Sequence, residues 1–491
     1  IIWDFIGKKV NGPWTHGPTG LTLTSGERVI PSFMRDDPFD RQQASFQRRK
    51  RSPSSSVFLL PPAAAPRRER TCRRRAESSD EASHLFDGMP PGEKVENAPP
   101  ASGSDIIGTL PDHILHHLLS FLPVQAAVQT CVLARRWRHL WRSTTGLRIV
   151  GLDGAESVED LRVFVDHVLI LRERTDLDTV EMIFDECSDD EEVYVKLWTR
   201  FAVMSKVRAL TLHIQAPPYL WFDVLPLVSR HLRTLDLEGL CVQLSFLDFA
   251  GCPALEDLKM NLCDISVEKI SSRSLKHLSI TKCCSDCELH VSTPGLVSLK
   301  LDDFTGTTPL LENMALLETA YVYIGDSCED FCLNYDSGVY CGASNITCEK
   351  CDLFNDNCGS DLVLLGGISS AKHLKLISEF GKFIFSRDLK YCPTFTKLKT
   401  LLLNEYWCEA PGLDPLACIL KNSPVLEKLT LQLFSKGPNH KVEMKGSFSS
   451  MERSSAIPEH LNIVEVKCTV VEERILKVLK FLCAFDIRFS F

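Results

Sequence analysis

Residues 110–141 read LPDHILHHLLSFLPVQAAVQTCVLARRWRHLW. Leu110, Ile114, Leu115, Leu118, Leu119 and Leu122 fall at helical spacing and form one broad apolar stripe. Pro111 suits the first turn of that helix, where its missing N–H would have no partner in any case, and Thr109 or Asp105 stands where a cap is wanted. Pro123 ends the helix and opens a second, in which Val124, Ala127 and Val128 are apolar. A third segment puts Leu133, Trp137, Leu140 and Trp141 on one side, with Arg135, Arg136 and Arg138 largely elsewhere. Three short amphipathic helices make a thin core, and a module this small is marginal alone. Its apolar surplus is best accounted for by a foreign protein covering part of it.

Downstream of this module one frame, L-x-x-L-x-L, recurs. It is met as Leu177/Val180/Met182, Val207/Leu210/Leu212, Leu232/Leu235/Leu237, Leu255/Leu258/Met260 and Leu275/Leu278/Ile280. It continues as Leu296/Leu299/Leu301, Leu317/Ala320/Val322, Ala371/Leu374/Leu376, Leu398/Leu401/Leu403 and Leu426/Leu429/Leu431. First positions advance by 30, 25, 23, 20, 21, 21, 54, 27 and 28 residues, and the long step predicts one degenerate unit near 345. L-x-L marks a short strand with one buried face, and such a period leaves room for one strand and one return. A single unit cannot bury its own apolar side; stacked neighbours share a core. Between module and array, Val158, Leu161, Val165, Val168 and Leu169 suggest a helix, and Val193, Leu197 and Phe201 another.

Composition sets the bounds. The chain has 491 residues, 44% of them apolar, enough for a sizeable folded part, and carries a net charge of −9. Residues 41–75 hold eleven basic side chains against the single acid Glu69, which leaves the rest near −19 and makes a general phosphate-backbone binder a poor fit. The segment 1–104, rich in Arg, Ser and Pro, lacks sustained periodicity and reads as a disordered tail whose basic clusters at 48–51 and 67–75 could serve nuclear import. The chain begins with Ile1, and Met89 heads a plausible shorter product lacking both clusters. No run of eighteen apolar residues marks a membrane span. The 20 cysteines are scattered, several inside leucine-patterned segments such as Cys241, Cys252 and Cys263, as expected of buried thiols in a reducing compartment, the nucleus or the cytoplasm.

The run LPDHILHHLLSFLP…CVLARRWRHLW closely resembles an F-box of the plant type. Leu110–Pro111, the Leu118–Leu122 run with Pro123, Cys131, Leu133, Arg135–Trp137 and Trp141 fall where that family's motif has them, over about 45 of the 491 residues. The repeats resemble the irregular leucine-rich repeats that accompany plant F-boxes. The end, IPEHLNIVEVKCTVVEERILKVLKFLCAFDIRF, more loosely resembles an FBD domain. There Leu461, Val464 and Val466 repeat the array frame, Ile475, Val478, Leu479 and Leu482 form a helix stripe, and Ile487 and Phe489 a final strand.

The implied fold class is α/β: a three-helix F-box over 105–150, a helical connector over 151–176, a leucine-rich-repeat solenoid over 177–435 and a C-terminal α/β cap over 455–491. The resemblance implies binding to the Skp-type adaptor of a cullin–RING ubiquitin ligase. It makes Leu110, Pro111, Ile114, Leu115, Leu118, Leu122, Pro123 and Val132 the adaptor contacts or their immediate support, with Trp137 and Trp141 holding the third helix. An unidentified protein client would bind the repeats, and no cofactor is implied.

Enzymatic and metal readings find little footing. No phosphate-cradling glycine motif is present, and His167 and Cys187 lack a motif frame suggesting a catalytic pair. His113, His116 and His117 share helical spacing but no carboxylate or cysteine completes a ligand set beside them. Cys283, Cys284 and Cys287 with His290, and Cys348, Cys351 and Cys358, contain two C-x-x-C pairs, about sixty residues apart on different repeats, so a zinc site is not expected. The principal alternative function is a repeat-based interaction module acting outside a ubiquitin ligase.

Overall fold

Alternate residues of an extended chain face opposite ways, so each Leu-x-Leu pair becomes a strand once its apolar face finds neighbours. The computed structural model describes residues 107–151, 158–185, 192–215, 220–222, 227–243, 247–312, 314–329, 364–379, 392–408, 413–434, 460–468 and 473–483. The chain opens with helices α1 (Asp112–Ser120) and α2 (Val124–Gln129), then β1 (Gly146–Val150), α3 (Val158–Leu171), β2 (Thr179–Phe184), α4 (Glu192–Met204) and β3 (Ala209–Ile214). Short strands are then interspersed with long ones: β4 (Leu220–Phe222), β5 (Thr234–Glu238), β6 (Leu240–Gln243), β7 (Asp257–Asn261), β8 (Asp264–Ser266), β9 (Lys269–Ser271) and β10 (His277–Thr281). There follow β11 (His290–Ser292), β12 (Ser298–Asp302), β13 (Leu310–Leu311), β14 (Thr319–Ile324), α5 (Leu364–Gly367), β15 (His373–Ser378) and β16 (Thr400–Asn404). The last elements are α6 (Asp414–Lys421), β17 (Lys428–Leu433), β18 (Ile463–Cys468) and α7 (Glu473–Cys483).

The long strands make one twelve-stranded sheet in the order β1-β2-β3-β5-β7-β10-β12-β14-β15-β16-β17-β18. Every pairing is parallel, with the leucine frame in register: Leu278 lies between Leu258 and Leu299, all three buried. Two three-stranded sheets, β4-β6-β8 and β13-β11-β9, run along the returning side of the repeats. This is an irregular leucine-rich-repeat solenoid behind a small helical module.

The turn leaving each main strand has a fixed shape. Gly239, Leu262, Lys282 and Asp303 occupy corresponding places in four successive repeats, and each has a positive φ of 50–66°. Each gives its N–H to the carbonyl at the end of the next strand, for instance Lys282 to Asp302 at 2.7 Å. At Gly239 a Cβ would stand 1.9 Å from the Ile214 carbonyl oxygen, so only glycine fits there. The other three hold side chains in a conformation that costs L-residues about 1–2 kcal/mol.

Several expectations are corrected. The sheet begins at β1, one strand ahead of the first expected repeat at 177, so α3 is the return of the first repeat rather than a separate connector. β14 pairs directly with β15, Thr319 opposite His373, so no strand lies between them in the main sheet; the unit expected near 345 lies outside the described residues. The third segment of the module is not an α-helix but three 3-10 turns, Thr130–Val132, Arg135–Arg138 and Leu140–Ser143. Ala134 is extended there (φ −158°, ψ 161°), which breaks the helical ladder and turns Leu133 away from Leu140 and Trp141. Pro111 caps α1 from an extended conformation rather than lying within its first turn. In α4 the helix is as expected, but its buried side chains are Val195, Trp198, Thr199 and Ala202, while Val193 and Leu197 are exposed. Trp198 explains the rotation: its indole N–H reaches Asp166 of α3 at 3.0 Å and its buried ring lies 6.3 Å from that of Phe184 on β2.

The C-terminal frame Leu461/Val464/Val466 does add a strand, β18, and Ile475, Val478, Leu479 and Leu482 form the buried side of α7. Residues 1–106, including the basic clusters, and the strand expected at Ile487 and Phe489 lie outside the described residues. Cys241, Cys252 and Cys263 are buried free thiols, as the leucine-like spacing suggested. Burial pushes the Cys241 thiol up to about 12, as it does that of half-buried Cys284, and moves Cys263 upward as well.

Candidate adaptor-docking surface

The module sits against the first edge of the sheet. Pro123 bridges to Arg148 of β1, and α1 ends so close to that strand that a Cβ on Gly146 would stand 2.7 Å from the Ser120 Cβ. Arg172, at the end of α3, buries its guanidinium under the joint and donates to the Thr144 hydroxyl at 2.9 Å and to the Thr144 carbonyl at 2.5 Å. Removal from water pulls its pKa down to about 10.

Within the module the stripe of six apolar residues divides. Leu115 and Leu119 are buried with Val124, Ala127, Val128, Cys131, Leu140 and Trp141. Leu115 therefore stands beneath the surface, on the support side of its expected role, because at this spacing it points to the array side of α1. Ile114, Leu118 and Leu122 remain 37%, 46% and 37% exposed, and Val132 is 51% exposed. Pro111 is exposed; Leu110 and Pro123 are half-buried. Of the two support residues, Trp141 is buried and Trp137 packs partly against the core.

Arg136 ties the segments together. Its Nε donates to Asp112 Oδ1 at 2.9 Å, and its terminal nitrogens donate to the Gly108 and Leu110 carbonyls at 2.6 and 2.5 Å. The guanidinium thus holds the entry to α1 against the 3-10 turns.

Three further apolar side chains are exposed on the module: Ile107 and Phe121, absent from the expected contacts, and Leu133, expected on one side with Trp137, Leu140 and Trp141. Phe121 and Leu133 are 62% and 68% exposed. The signal for Phe121 was present, since it lies three residues beyond Leu118 and shares its side of the helix end. Its ring meets His117 edge-on at 4.9 Å. Exposed apolar side chains gathered on so small a module are the kind of surface that interaction sites use.

The remaining candidates are not brought together. His113 and His117 are exposed and His116 half-buried along α1. His167 Nδ1 lies 2.6 Å from its own helix's Val163 carbonyl, and Cys187 is outside the described residues. Cys283 is buried whereas Cys284 and Cys287 are partly exposed; Cys348, Cys351 and Cys358 are outside the described residues. Among the described residues no group of three or more His, Cys, Asp or Glu is placed to hold a metal ion. Nor, among them, is any helix long and apolar enough to cross a membrane.

The F-box domain family profile matches residues 107–147, the docking module as far as β1. A meiotic F-box protein of rice (Oryza sativa subsp. japonica) is 28% identical over 367 residues, covering 67% of this chain and 71% of the relative. Two F-box/FBD/LRR-repeat proteins of Arabidopsis thaliana are 26% and 25% identical, covering 72% and 77% of this chain and 82% and 89% of theirs. The chain thus carries an F-box match and is similar to plant F-box/FBD/LRR-repeat proteins over more than two thirds of its length. The F-box match implies partnership with Skp and cullin and supports, in general terms only, an adaptor role in such ligases. The apolar surface of α1, α2 and the following turns is accordingly the F-box's own, and the parallel sheet is the LRR part of the same chain.

Proposed function

We propose that this F-box/LRR protein is the client-recognition subunit of a Skp–cullin–F-box ubiquitin ligase and performs no bond chemistry itself. Its F-box docks a Skp-type adaptor through Leu110, Pro111, Ile114, Leu118, Leu122, Pro123 and Val132, joined by Phe121, while Leu115, Trp137 and Trp141 hold that surface from behind. The single observation that carries the reading is the division of the α1 stripe. Leu118 and Leu122 stay in water although Leu115 and Leu119 beside them are buried. Leaving large apolar side chains exposed on so small a module is unfavourable unless a partner covers them.

The solenoid holds the protein client. An assembly that grips adaptor and client together turns ubiquitin transfer into a reaction between neighbours, raising the effective concentration of client lysines near the charged ubiquitin. The seat of the F-box on β1, with Gly146 against Ser120 and Arg172 on Thr144, keeps the two grips in one orientation. Free buried thiols support a reducing compartment, nucleus or cytoplasm.

The test is a double substitution, Leu118→Glu with Leu122→Glu, in the full chain co-expressed with a Skp-type adaptor. Loss of adaptor co-purification with an unchanged thermal unfolding transition is the expected result. Undiminished co-purification by a folded variant would refute the assignment.

A further inference from the structure

Along most of the main sheet, the strand positions facing away from the buried leucine rows are polar. From Thr211 on β3 to Asp302 on β12 every such position carries a polar or charged side chain. At β14–β16 the character changes. Tyr321 and Tyr323 on β14, Ile377 on β15 and Leu402 on β16 are half-buried and alternate with the buried rows. The register sets Tyr321 beside Lys375 and Lys375 beside Leu402, and Tyr323 beside Ile377, so the four occupy three consecutive strands. Neighbouring strands lie about 4.8 Å apart, so Tyr321, Tyr323 and Ile377 adjoin, with the exposed Lys375 standing between Tyr321 and Leu402. β17 returns to Thr430 and Gln432.

Charge borders the patch unevenly. At the strand ends the Tyr323 hydroxyl donates to Glu379 Oε1 at 3.0 Å, and the carboxylates of Asp303 and Asp326 also act on it. On the opposite side of Tyr321, Lys300 lies 5.9 Å from the ring centre and pairs with Asp302 at 2.9 Å. An aromatic centre with a polar rim is the anatomy of a protein-binding hot spot, and tyrosine supplies large contact area at small entropic cost.

We propose that the β14–β16 part of the sheet is where the client binds, and that the occupant is an extended protein segment carrying a large apolar side chain next to a Lys or Arg. The apolar group lies over Tyr321, Tyr323, Ile377 and Leu402, and the cation faces Glu379 and Asp303. This deepens the reading of the chain as a client-binding subunit and rests on it. Charge argues against an occupant from the chain's own insertion after β14, since residues 330–363 carry six acids and one base. The acidic strand ends likewise disfavour a nucleic acid.

The experiment uses the full chain bound to its Skp-type adaptor and fluorescein-labelled synthetic peptides read by anisotropy. One peptide set places Phe or Leu beside Arg or Lys, a second replaces the base by Glu, a third replaces the apolar residue by Ser, and a single-stranded oligonucleotide serves as a further probe. The first set is expected to bind best. Tyr321→Ala and Tyr323→Ala should each weaken it about tenfold or more, the scale of a hot-spot residue. Glu379→Lys should move the preference toward the Glu set, and Thr211→Ala on β3 should change nothing. Should the tyrosine variants fail to fold, the surface change at Glu379 decides alone. Absence of binding by every set, equal binding of the basic and acidic sets, preference for the oligonucleotide, or indifference to the substitutions would overturn the proposal. Adaptor co-purification is scored in the same samples. Peptide binding without adaptor would defeat the ligase reading while leaving the client site standing.

Discussion

The Arg136 guanidinium reaches back 24 residues to Asp112, closing the last turns of the F-box onto the start of its first helix at 2.9 Å. The same group also holds the carbonyls of Gly108 and Leu110, so a single side chain orders the entry to α1. An exposed ion pair by itself contributes little, typically under about 1 kcal/mol. The planar fork acting on two carbonyls as well makes this contact more than that.

Arg136→Ala is therefore expected to destabilise the module by about 1–2 kcal/mol. Adaptor affinity should fall although Arg136 is not among the proposed contacts. Arg136→Lys should fail to restore it, because an ammonium cannot span three acceptors in fixed directions. Titration calorimetry against the adaptor, with hydrogen exchange at α1, measures both effects.

Leu115 and Leu118 should separate stability from binding. Leu115→Ala removes a fully buried side chain and should cost about 2–5 kcal/mol of folding stability. Leu118→Ala should leave unfolding almost unmoved and weaken the adaptor complex. Equal thermal shifts in the two variants would contradict the division of the stripe.

Lys282 stands at φ 50°, where glycine is at ease and lysine is not. Lys282→Gly should stabilise the array by about 1 kcal/mol, the relieved strain exceeding glycine's extra unfolded freedom. Lys282→Val should destabilise it, since a branched side chain suits this conformation still less. Chemical denaturation of the three proteins gives the order directly.

His213 on β3 faces carboxylates from both neighbouring strands. Asp236 Oδ1 on β5 lies 3.1 Å from Nε2, Glu238 on β5 3.8 Å from Nδ1, and Glu181 on β2 adds to the field. The hydrogen bond to Asp236, followed by the other charges, lifts the imidazole pKa against its own burial. A group with its pKa raised on folding stabilises fully below its unfolded value and loses that contribution as pH climbs through the folded one. The melting temperature should decline between about pH 6 and about pH 8 more in the native chain than in His213→Gln. Half-exposure and salt keep the difference small.

Thiol reactivity offers a further check. Burial is the main cause holding Cys241 and Cys284 near 12, with Asp264 adding to it, so little thiolate exists at neutral pH. Iodoacetamide near neutral pH should label both slowly in the folded protein and rapidly after denaturation, as read by peptide mass spectrometry.

Much of this architecture was legible from spacing. The Leu-x-Leu frame placed the strands from β2 through β17 that carry it, because an in-register parallel stack needs an apolar residue at the same two places in each unit. It missed β1, where Gly146-Leu-Arg-Ile149 keeps the alternation but stands behind the motif that had claimed those residues. The unit it expected near 345 lies outside the described residues, and no strand stands between β14 and β15 in the main sheet. The α-helical reading of 133–141 failed on Ala134, whose extended backbone no composition rule announces.

The sequence by itself determined that stacked units share a core and that a compact helical module with surplus apolar side chains precedes them. Both follow from local periodicity, which the chain carries residue by residue. Which of the module's leucines stay in water was decided only in three dimensions. Leu115 and Leu119 differ from Leu118 and Leu122 not in chemistry but in what lies against them: the buried set led by Val124, Leu140 and Trp141 for the first pair, solvent for the second. The tyrosine and aliphatic patch across β14–β16 is of the same kind. Its members are up to 81 positions apart in the chain and meet only because β15 pairs with both β14 and β16.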